Sequence, residues 1–362
     1  MIKHIIFKVT GNCNLSCDYC YYINDLSNEW KVNSNINILK EVFEKYRNYN
    51  NHLKISWHGG EPLLIGIDFF REAMKLAKTN KIKLTNSVQT NGILLNEEWC
   101  DFFLENNFSV GISIDGPQEL HDKDRKMKNG LGSYQGAVNA IKLLQSKKIP
   151  YGILSVCSPT FNGKHVFNHF VELGIKNMDF LLPIITKESL INDRYFISKC
   201  TKYFLDILDE WIALDDPSIK IRYFRNLIYP LLGDKARECI LNNSCNDFIT
   251  IEPNGDVGLC ENTRIINKDF YKSNLNICRN NFKEIEEYIN NKINKCSYNK
   301  LCQACVDCKW LDICNGGYPV SRYDSLNDFN NTSAYCKLYK RIIAKMENYI
   351  ERNIPTYTKC TK

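Results

Sequence analysis

From residue 1 to about 185 the chain alternates short apolar runs with helix-period stretches, and that alternation admits few folds. Strands are predicted over residues 4–9, 53–57, 83–88, 109–114, 151–157 and 178–183. Helices are predicted over 37–49, 68–78, 96–105, 133–145 and 165–173. Asn96, followed by Glu98 and Asp101, reads as an N-cap with an acidic first turn, and Ser133 reads as the cap of the helix from Tyr134. Strands alternating with helices build a parallel sheet with right-handed crossovers. Six units do not close an eight-stranded barrel, so a curved partial (β/α)6 barrel is expected, an α/β fold. In such folds ligands collect at the C-terminal ends of the strands.

The loop after the first strand reads Thr10-Gly-Asn-Cys13-Asn-Leu-Ser-Cys17-Asp-Tyr19-Cys20, a C-x3-C-x2-C spacing. Three thiolates on one loop hold three corners of an iron–sulfur cube and leave the fourth iron open. Zinc would want a fourth ligand, and the loop has no further Cys or His. Disulfides would need pairs and an oxidising compartment. The loop resembles that of the radical SAM superfamily. There, the open iron chelates the amino and carboxylate groups of S-adenosylmethionine (SAM), whose cleavage yields a 5′-deoxyadenosyl radical. The resemblance implies a [4Fe-4S] cluster on Cys13, Cys17 and Cys20, with Tyr19 as the family's aromatic before the last cysteine.

The other strand ends carry matching motifs. His58-Gly59-Gly60-Glu61-Pro62 follows the second strand and resembles the family's GGE motif, whose backbone binds the SAM amino group. Gln89-Thr90-Asn91-Gly92 follows the third, and Ser113-Ile114-Asp115-Gly116-Pro117 the fourth. By resemblance, Ser113 and Arg125 contact the SAM carboxylate and ribose, and the planar fork of arginine suits a carboxylate. Asp115 faces the substrate or caps the next segment; Leu181 and Leu182 pack on adenine or belong to the core.

Composition sets the outer limits. At 362 residues with 44% hydrophobic and 24% charged residues, this is a globular chain of about two domains. No apolar run approaches the roughly 18 residues of a membrane span, and no signal peptide is apparent, so a cytoplasmic protein without a membrane partner is expected. The net charge of +6 is spread out, with no basic stripe interleaved with aromatics, which argues against nucleic acid. Seventeen cysteines in a chain of this size point to metal rather than disulfides.

The remaining cysteines form a second field. Cys239, Cys245 and Cys260 flank a hairpin with an Asn254-Gly255 turn, and Cys302, Cys305, Cys308, Cys314 and Cys336 follow. Gly255-x4-Cys260 and Cys305-x2-Cys308-x5-Cys314 resemble the SPASM extension of peptide-modifying radical SAM enzymes. That resemblance implies one auxiliary [4Fe-4S] cluster on Cys305, Cys308, Cys314 and Cys336, and a second on Cys239, Cys245 and Cys260. The cysteine that would complete the second is Tyr318 here, so that cluster is open, borrows Cys302, Cys296 or Cys278, or is absent. Gly316-Gly317-Tyr318 through Arg322-Tyr323 also resembles maturases of ribosomally made peptides that form cyclophane crosslinks. Glu261 stands where sulfatase-maturing relatives carry an aspartate proposed as base. The expected domains are a radical SAM barrel at 1–186, a helical bridge at 187–235, a SPASM domain with a β-hairpin and helices at 236–345, and a tail at 346–362.

These readings predict a radical SAM peptide maturase. The first expectation is side-chain crosslinking after β-hydrogen abstraction, with Glu261 and Asp115 as candidate catalytic groups and the electron leaving through the auxiliary clusters. Formylglycine formation and thioether formation are enzymatic alternatives, and a zinc-binding interaction protein is the non-enzymatic one. The partners expected are a precursor peptide and an electron donor such as flavodoxin or ferredoxin. Because the chain starts at the first barrel strand, leader recognition is expected to be internal or to come from another chain.

Overall fold

The computed structural model describes residues 1–22, 30–189, 195–242, 247–295 and 300–353. The chain divides into two compact units, Met1–Leu154 with Asn246–Asn291, and Ser155–Cys245 with Lys292–Lys362. In chain order the strands are β1 (His4–Thr10), β2 (Leu15–Cys17), β3 (His52–Gly59), β4 (Lys83–Thr90), β5 (Ser109–Ser113), β6 (Arg125–Met127), β7 (Tyr151–Val156), β8 (Asn177–Leu181), β9 (Lys220–Ile221), β10 (Phe248–Ile251), β11 (Asp256–Gly258) and β12 (Lys272–Asn276). The six strands expected from periodicity are β1, β3, β4, β5, β7 and β8.

In the first unit the sheet runs β12-β11-β10-β1-β3-β4-β5-β7. The stretch from β10 to β7 is parallel, and β11 and β12 are antiparallel. The helices between the parallel strands form because their apolar residues recur at helical spacing, and some of their N-termini are capped by side chains. Ile36–Tyr46 buries Ile38, Leu39, Val42, Phe43 and Tyr46, and the Asn35 side chain accepts from the Asn37 N–H. Glu97–Glu105 is capped by Asn96, which accepts from the Trp99 N–H, as its sequence predicts. Phe70, Trp99, Phe102 and Phe108 then pack edge-on or tilted between helices and sheet.

Three features differ from the sequence reading. The hairpin at residues 248–258, grouped by sequence with the later cysteines, lies in the first unit, where β10 pairs parallel with β1 in the register His4↔Phe248. The cysteine loop contains β2, whose Cys17 pairs antiparallel with Arg125 of β6. Ser133 does not cap its helix. Asp122 accepts from the Tyr134 N–H instead, while the Ser133 hydroxyl donates to the Arg125 carbonyl and meets His121.

In the second unit β8 pairs parallel with β9, and the helices Phe196–Leu214, Arg222–Leu231 and Cys336–Asn353 supply most of the core. Tyr203, Phe204, Ile207 and Leu208 of the first of these are buried. Cys157 and Cys200 are buried here and Cys100 in the first unit; Cys360 lies outside the described residues.

Candidate active site

The site begins where β1 and β3 end. Gly60 N–H donates to the Thr10 carbonyl and Glu61 N–H to the Asn12 carbonyl, both at 2.8 Å, so the GGE turn is bonded to the cysteine loop. A Cβ on Gly60 would stand 2.2 Å from the Asn12 oxygen, and one on Gly59, whose φ is +144°, 2.3 Å from the Thr10 oxygen. The two glycines are required by this backbone-to-backbone approach.

Glu61 is buried and ties the ends of β3 and β4 together. Its carboxylate accepts from Thr90 Oγ at 2.6 Å, the Asn91 N–H at 2.8 Å and the Leu63 N–H at 3.1 Å. Hydrogen bonds to a charged acceptor contribute about 1.5–3 kcal/mol each. Burial pushes the Glu61 carboxyl up, and these donors oppose it. Asn91 Nδ2 reaches back to Asn14 Oδ1 at 2.8 Å and to Cys13 Sγ at 3.8 Å. Gln89 Nε2 donates to Ser113 Oγ at 2.8 Å.

On the far side of the loop, Arg125 lies opposite Cys17. Its Nη1 donates to the Tyr19 hydroxyl at 2.8 Å, Tyr19 donates to Asp115, and Arg125 and Asp115 stand 3.9 Å apart. Burial disfavours the Arg125 charge, but Tyr19, Asp115 and Cys17 outweigh it and keep the guanidinium protonated. Arg125 Nε is buried without a hydrogen-bond partner, an opening for an anionic ligand group. The Cys13 thiol is pushed up to about 12 by burial, so a bound cation is what would turn it into a thiolate. Three clustered thiols, an Asn amide beside one of them and a buried arginine with a spare donor fit an iron–sulfur cube and SAM.

A second network lies in the same unit, on the β1–β3–β10 side. Lys8 of β1 is fully buried. Its ammonium pairs with Glu261, bonds His58 Nδ1 at 3.1 Å and lies 4.6 Å from the centre of the Tyr22 ring. Tyr21 donates to Glu261 at 2.5 Å. Burial pushes the Glu261 carboxyl up, but Lys8, His58 and Tyr21 override it and hold it at about 2. Glu261 is thus an ionised carboxylate next to Cys260. Beside it, Glu252 takes donors from Arg264, Tyr271 and Tyr22, and Arg264 packs 3.8 Å from the Tyr271 ring centre. Sequence reading missed Lys8. A lysine between Phe7 and Val9, in a parallel strand covered on both faces, is the signal that a carboxylate must meet it.

The second unit carries the later cysteines. Cys305, Cys308, Cys314 and Cys336 line one recess together with Trp310, Leu311, Tyr339 and Ile343. Burial pushes the Cys305 thiol up to about 12 and that of Cys314 to about 11. Cys302 Sγ is 3.7 Å from Cys305 Sγ. Among the described residues no three Cys, His, Asp or Glu side chains are close enough to share one metal ion, whereas a cube takes its thiolates on separate irons. Arg322 is fully buried and donates to the Lys300 carbonyl at 2.7 Å, so the arginine of the Gly316–Tyr323 motif holds the loop that leads to Cys302. Tyr318 is half-buried ahead of the turn Pro319–Arg322.

The first unit therefore brings together Cys13, Cys17, Cys20, Tyr19, Gly59, Gly60, Glu61, Gln89, Thr90, Asn91, Ser113, Asp115 and Arg125, and also holds Cys260, Glu261 and the exposed Cys278. Leu181 lies in the second unit, half-buried, its carbonyl accepting from the Cys157 N–H at 2.9 Å. Cys239 opens a short helix there, and Cys245 and Cys296 lie outside the described residues.

Fold and cysteine loop define a radical SAM enzyme, and the radical SAM superfamily profile matches residues 7–172. A cysteine-type anaerobic sulfatase-maturating enzyme of Clostridium novyi is 31% identical over 100% of this chain and 97% of its own length. A serine-type anaerobic sulfatase-maturating enzyme of Bacteroides thetaiotaomicron is 28% identical over 96% of this chain and 90% of its own. Native anSMEcpe, solved with bound AdoMet and Cp18Cys peptide, superposes with a TM-score of 0.84 at 28% identity, covering 97% of this chain and 100% of that one. The chain belongs to the family of anaerobic sulfatase-maturating enzymes. Its cofactors are SAM, a [4Fe-4S] cluster with an open iron, and auxiliary clusters. Among the described residues no helix is long and apolar enough to cross a membrane.

Proposed function

We propose that this enzyme oxidises the β-carbon of a cysteine or serine in a peptide to the aldehyde of formylglycine. The observation that carries this reading is Glu261. It is a buried, ionised carboxylate directly after Cys260, held by Lys8 and Tyr21 in the unit that contains the three-cysteine loop. Relatives named for sulfatase maturation, of both the cysteine and the serine type, align over nearly the whole chain.

Cys13, Cys17 and Cys20 would hold a cluster that with SAM would supply the hydrogen-abstracting radical, and auxiliary clusters would supply an acceptor for one electron. The protein supplies position and proton transfer. Arg125, through its buried Nε, would hold the SAM carboxylate, and the backbone of Gly59–Glu61 would receive the amino group. From a cysteine substrate the β-carbon loses a hydrogen atom; the electron and the thiol proton follow, leaving a thioaldehyde. Water then replaces sulfur, releasing hydrogen sulfide. Glu261 is the acceptor of the thiol proton. Asp115, bonded to Tyr19 and near Arg125, orders the SAM side of the site.

The test is anaerobic incubation of the reconstituted enzyme with SAM, reductant and cysteine- or serine-containing peptides. The cysteine peptide should lose sulfur and two hydrogens, gain one oxygen, and react with a hydrazide. A peptide that loses only two hydrogens and resists the hydrazide would sink this reading. That result would instead support a second reading, side-chain crosslinking, which is favoured by the resemblance of Gly316-Gly317-Tyr318 through Arg322-Tyr323 to cyclophane-forming maturases.

A further inference from the structure

In the reading above Lys8 is only the counter-ion of Glu261, yet its own surroundings are specific. It is fully buried on β1, and a buried ammonium is tolerated only when paired. Its register partner on β3 is His58, the residue before the GGE turn. His58 Nδ1 receives the Lys8 ammonium at 3.1 Å and the Gly59 N–H at 2.9 Å. With two donors on Nδ1, the neutral ring carries its hydrogen on Nε2. Lys8 also pairs with Glu261 and lies 3.5 Å from the Tyr21 hydroxyl. Tyr21, the residue after Cys20, donates to Glu261 as well. One ammonium thus joins three places: the GGE strand through His58, the residue after the cysteine loop through Tyr21, and the residue after Cys260 through Glu261.

We propose that Lys8 is a positioning residue for Glu261. It holds the carboxylate in one orientation relative to the cysteine loop and the GGE strand, so that the substrate proton is taken in step with hydrogen abstraction. This rests on the reading of Glu261 as the proton acceptor. Tyr21 alone cannot do the same work, because a single neutral donor leaves the carboxylate free to turn about that bond and brings no charge into direct contact with it. The ammonium, itself fixed by His58, removes both freedoms.

The readout is modified peptide formed per 5′-deoxyadenosine released, which separates coupling from SAM cleavage. Glu261→Gln should lower that ratio by roughly a hundredfold, the scale of a lost general base. Lys8→Gln should lower it by at least about tenfold, and Lys8→Arg, which keeps the charge, should recover most of the loss. In the Glu261→Gln background, adding Lys8→Gln should change nothing further, because the group it positions is already gone. That double variant carries no unpaired buried charge, so the comparison stands even if Lys8→Gln alone does not fold. A wild-type ratio in Glu261→Gln overturns the base assignment and the role of Lys8 with it. A reduced ratio in Glu261→Gln beside a wild-type ratio in Lys8→Gln overturns Lys8 alone, as does a further tenfold fall in the double variant.

Discussion

The two cysteine regions hold their thiols by different means. In the first unit, Cys13 to Cys20 hang on strand ends, and polar groups fix them: Gly60 and Glu61 N–H on the loop carbonyls, Asn91 on Cys13, and the Cys17–Arg125 ladder. In the second unit, Cys305 and Cys314 sit on short helical turns, Cys336 opens the helix Cys336–Asn353, and with Cys308 they line a recess shared with Trp310, Leu311, Tyr339 and Ile343, with Arg322 as a buried pin. Polar ties set distances and charge closely but depend on every partner being present. Apolar packing spreads its stabilisation over many contacts and tolerates single losses better. The first arrangement suits a site that must orient a charged cofactor, and the second one that only has to keep a cluster in place.

The largest effect is expected from removing the first set of thiols. Cys13→Ala, Cys17→Ala and Cys20→Ala together should abolish 5′-deoxyadenosine formation and remove the irons of one cube, leaving iron bound in the second unit. Iron analysis with electron paramagnetic resonance checks this. Loss of all iron would show that the two regions do not load independently and would break the comparison.

Next in size is Gly60→Ala. The new methyl would stand 2.2 Å from the Asn12 carbonyl and press on the Cys13 backbone, so the loop must move. SAM cleavage should fall by at least about tenfold, since displacing catalytic geometry by an ångström costs on the order of a hundredfold. The matching change in the second unit is Gly317→Ala. There the nearest atom, at 2.7 Å, is the edge of the Tyr339 ring, and the φ of +74° adds about 1–2 kcal/mol of strain. It should weaken iron retention against a chelator and leave SAM binding near normal. Equal loss of SAM cleavage in both variants would erase the contrast.

These glycines also mark what was legible in the sequence. The strand–helix alternation, the loop after β1 and the GGE turn were readable because each is local: periodicity, spacing and a Gly-Gly step. Long-range pairings were not readable. Nothing near Phe248 announces that β10 lies parallel to β1, and β2 and β6, at three residues each, are too short for a period. Ser133 was misread because a serine before a helix is usually its cap, whereas here Asp122 takes that place. Glu261 was found from its neighbour Cys260, but its counter-ion lies 253 residues earlier in sequence, and only the fold brings them together.

A smaller effect is expected from Glu61→Gln. The amide keeps one acceptor but points an NH2 group at the Thr90 hydroxyl or at the Asn91 N–H. The expected cost is about 1–3 kcal/mol, the price of an unmet buried group. It should appear as faster iron release from the first loop in a chelator assay, with the second unit unchanged.

The smallest effect concerns acid. His121 is buried between Asp115, whose carboxylate lies 3.9 Å from Arg125, and Ser133, whose hydroxyl donates to the Arg125 carbonyl. Ser133 spends its single hydroxyl hydrogen on the Arg125 carbonyl at 2.7 Å, so it must accept from His121 Nε2–H at 2.9 Å. His121 Nδ1 accepts the Asp115 N–H at 3.3 Å, which leaves no place for a second ring proton. Burial first, and the charge of Arg125 second, lower this imidazole to about 3. The folded value lies below that of the unfolded chain, so the neutral ring contributes its full stability above about pH 6.5. That stability is lost progressively as the pH falls toward 3. By pH 5 the loss is about 2 kcal/mol at roughly 1.4 kcal/mol per unit. Nitrogen NMR of 15N-histidine protein, with His121→Gln to assign the signal, should find this ring neutral at pH 5. Iron release on acidification should then begin in the first loop, whose anchors titrate, before the second unit, whose cysteines are packed against apolar side chains. A His121 midpoint near 6.5, or simultaneous release from both units, would remove acid sensitivity from the list of differences between them.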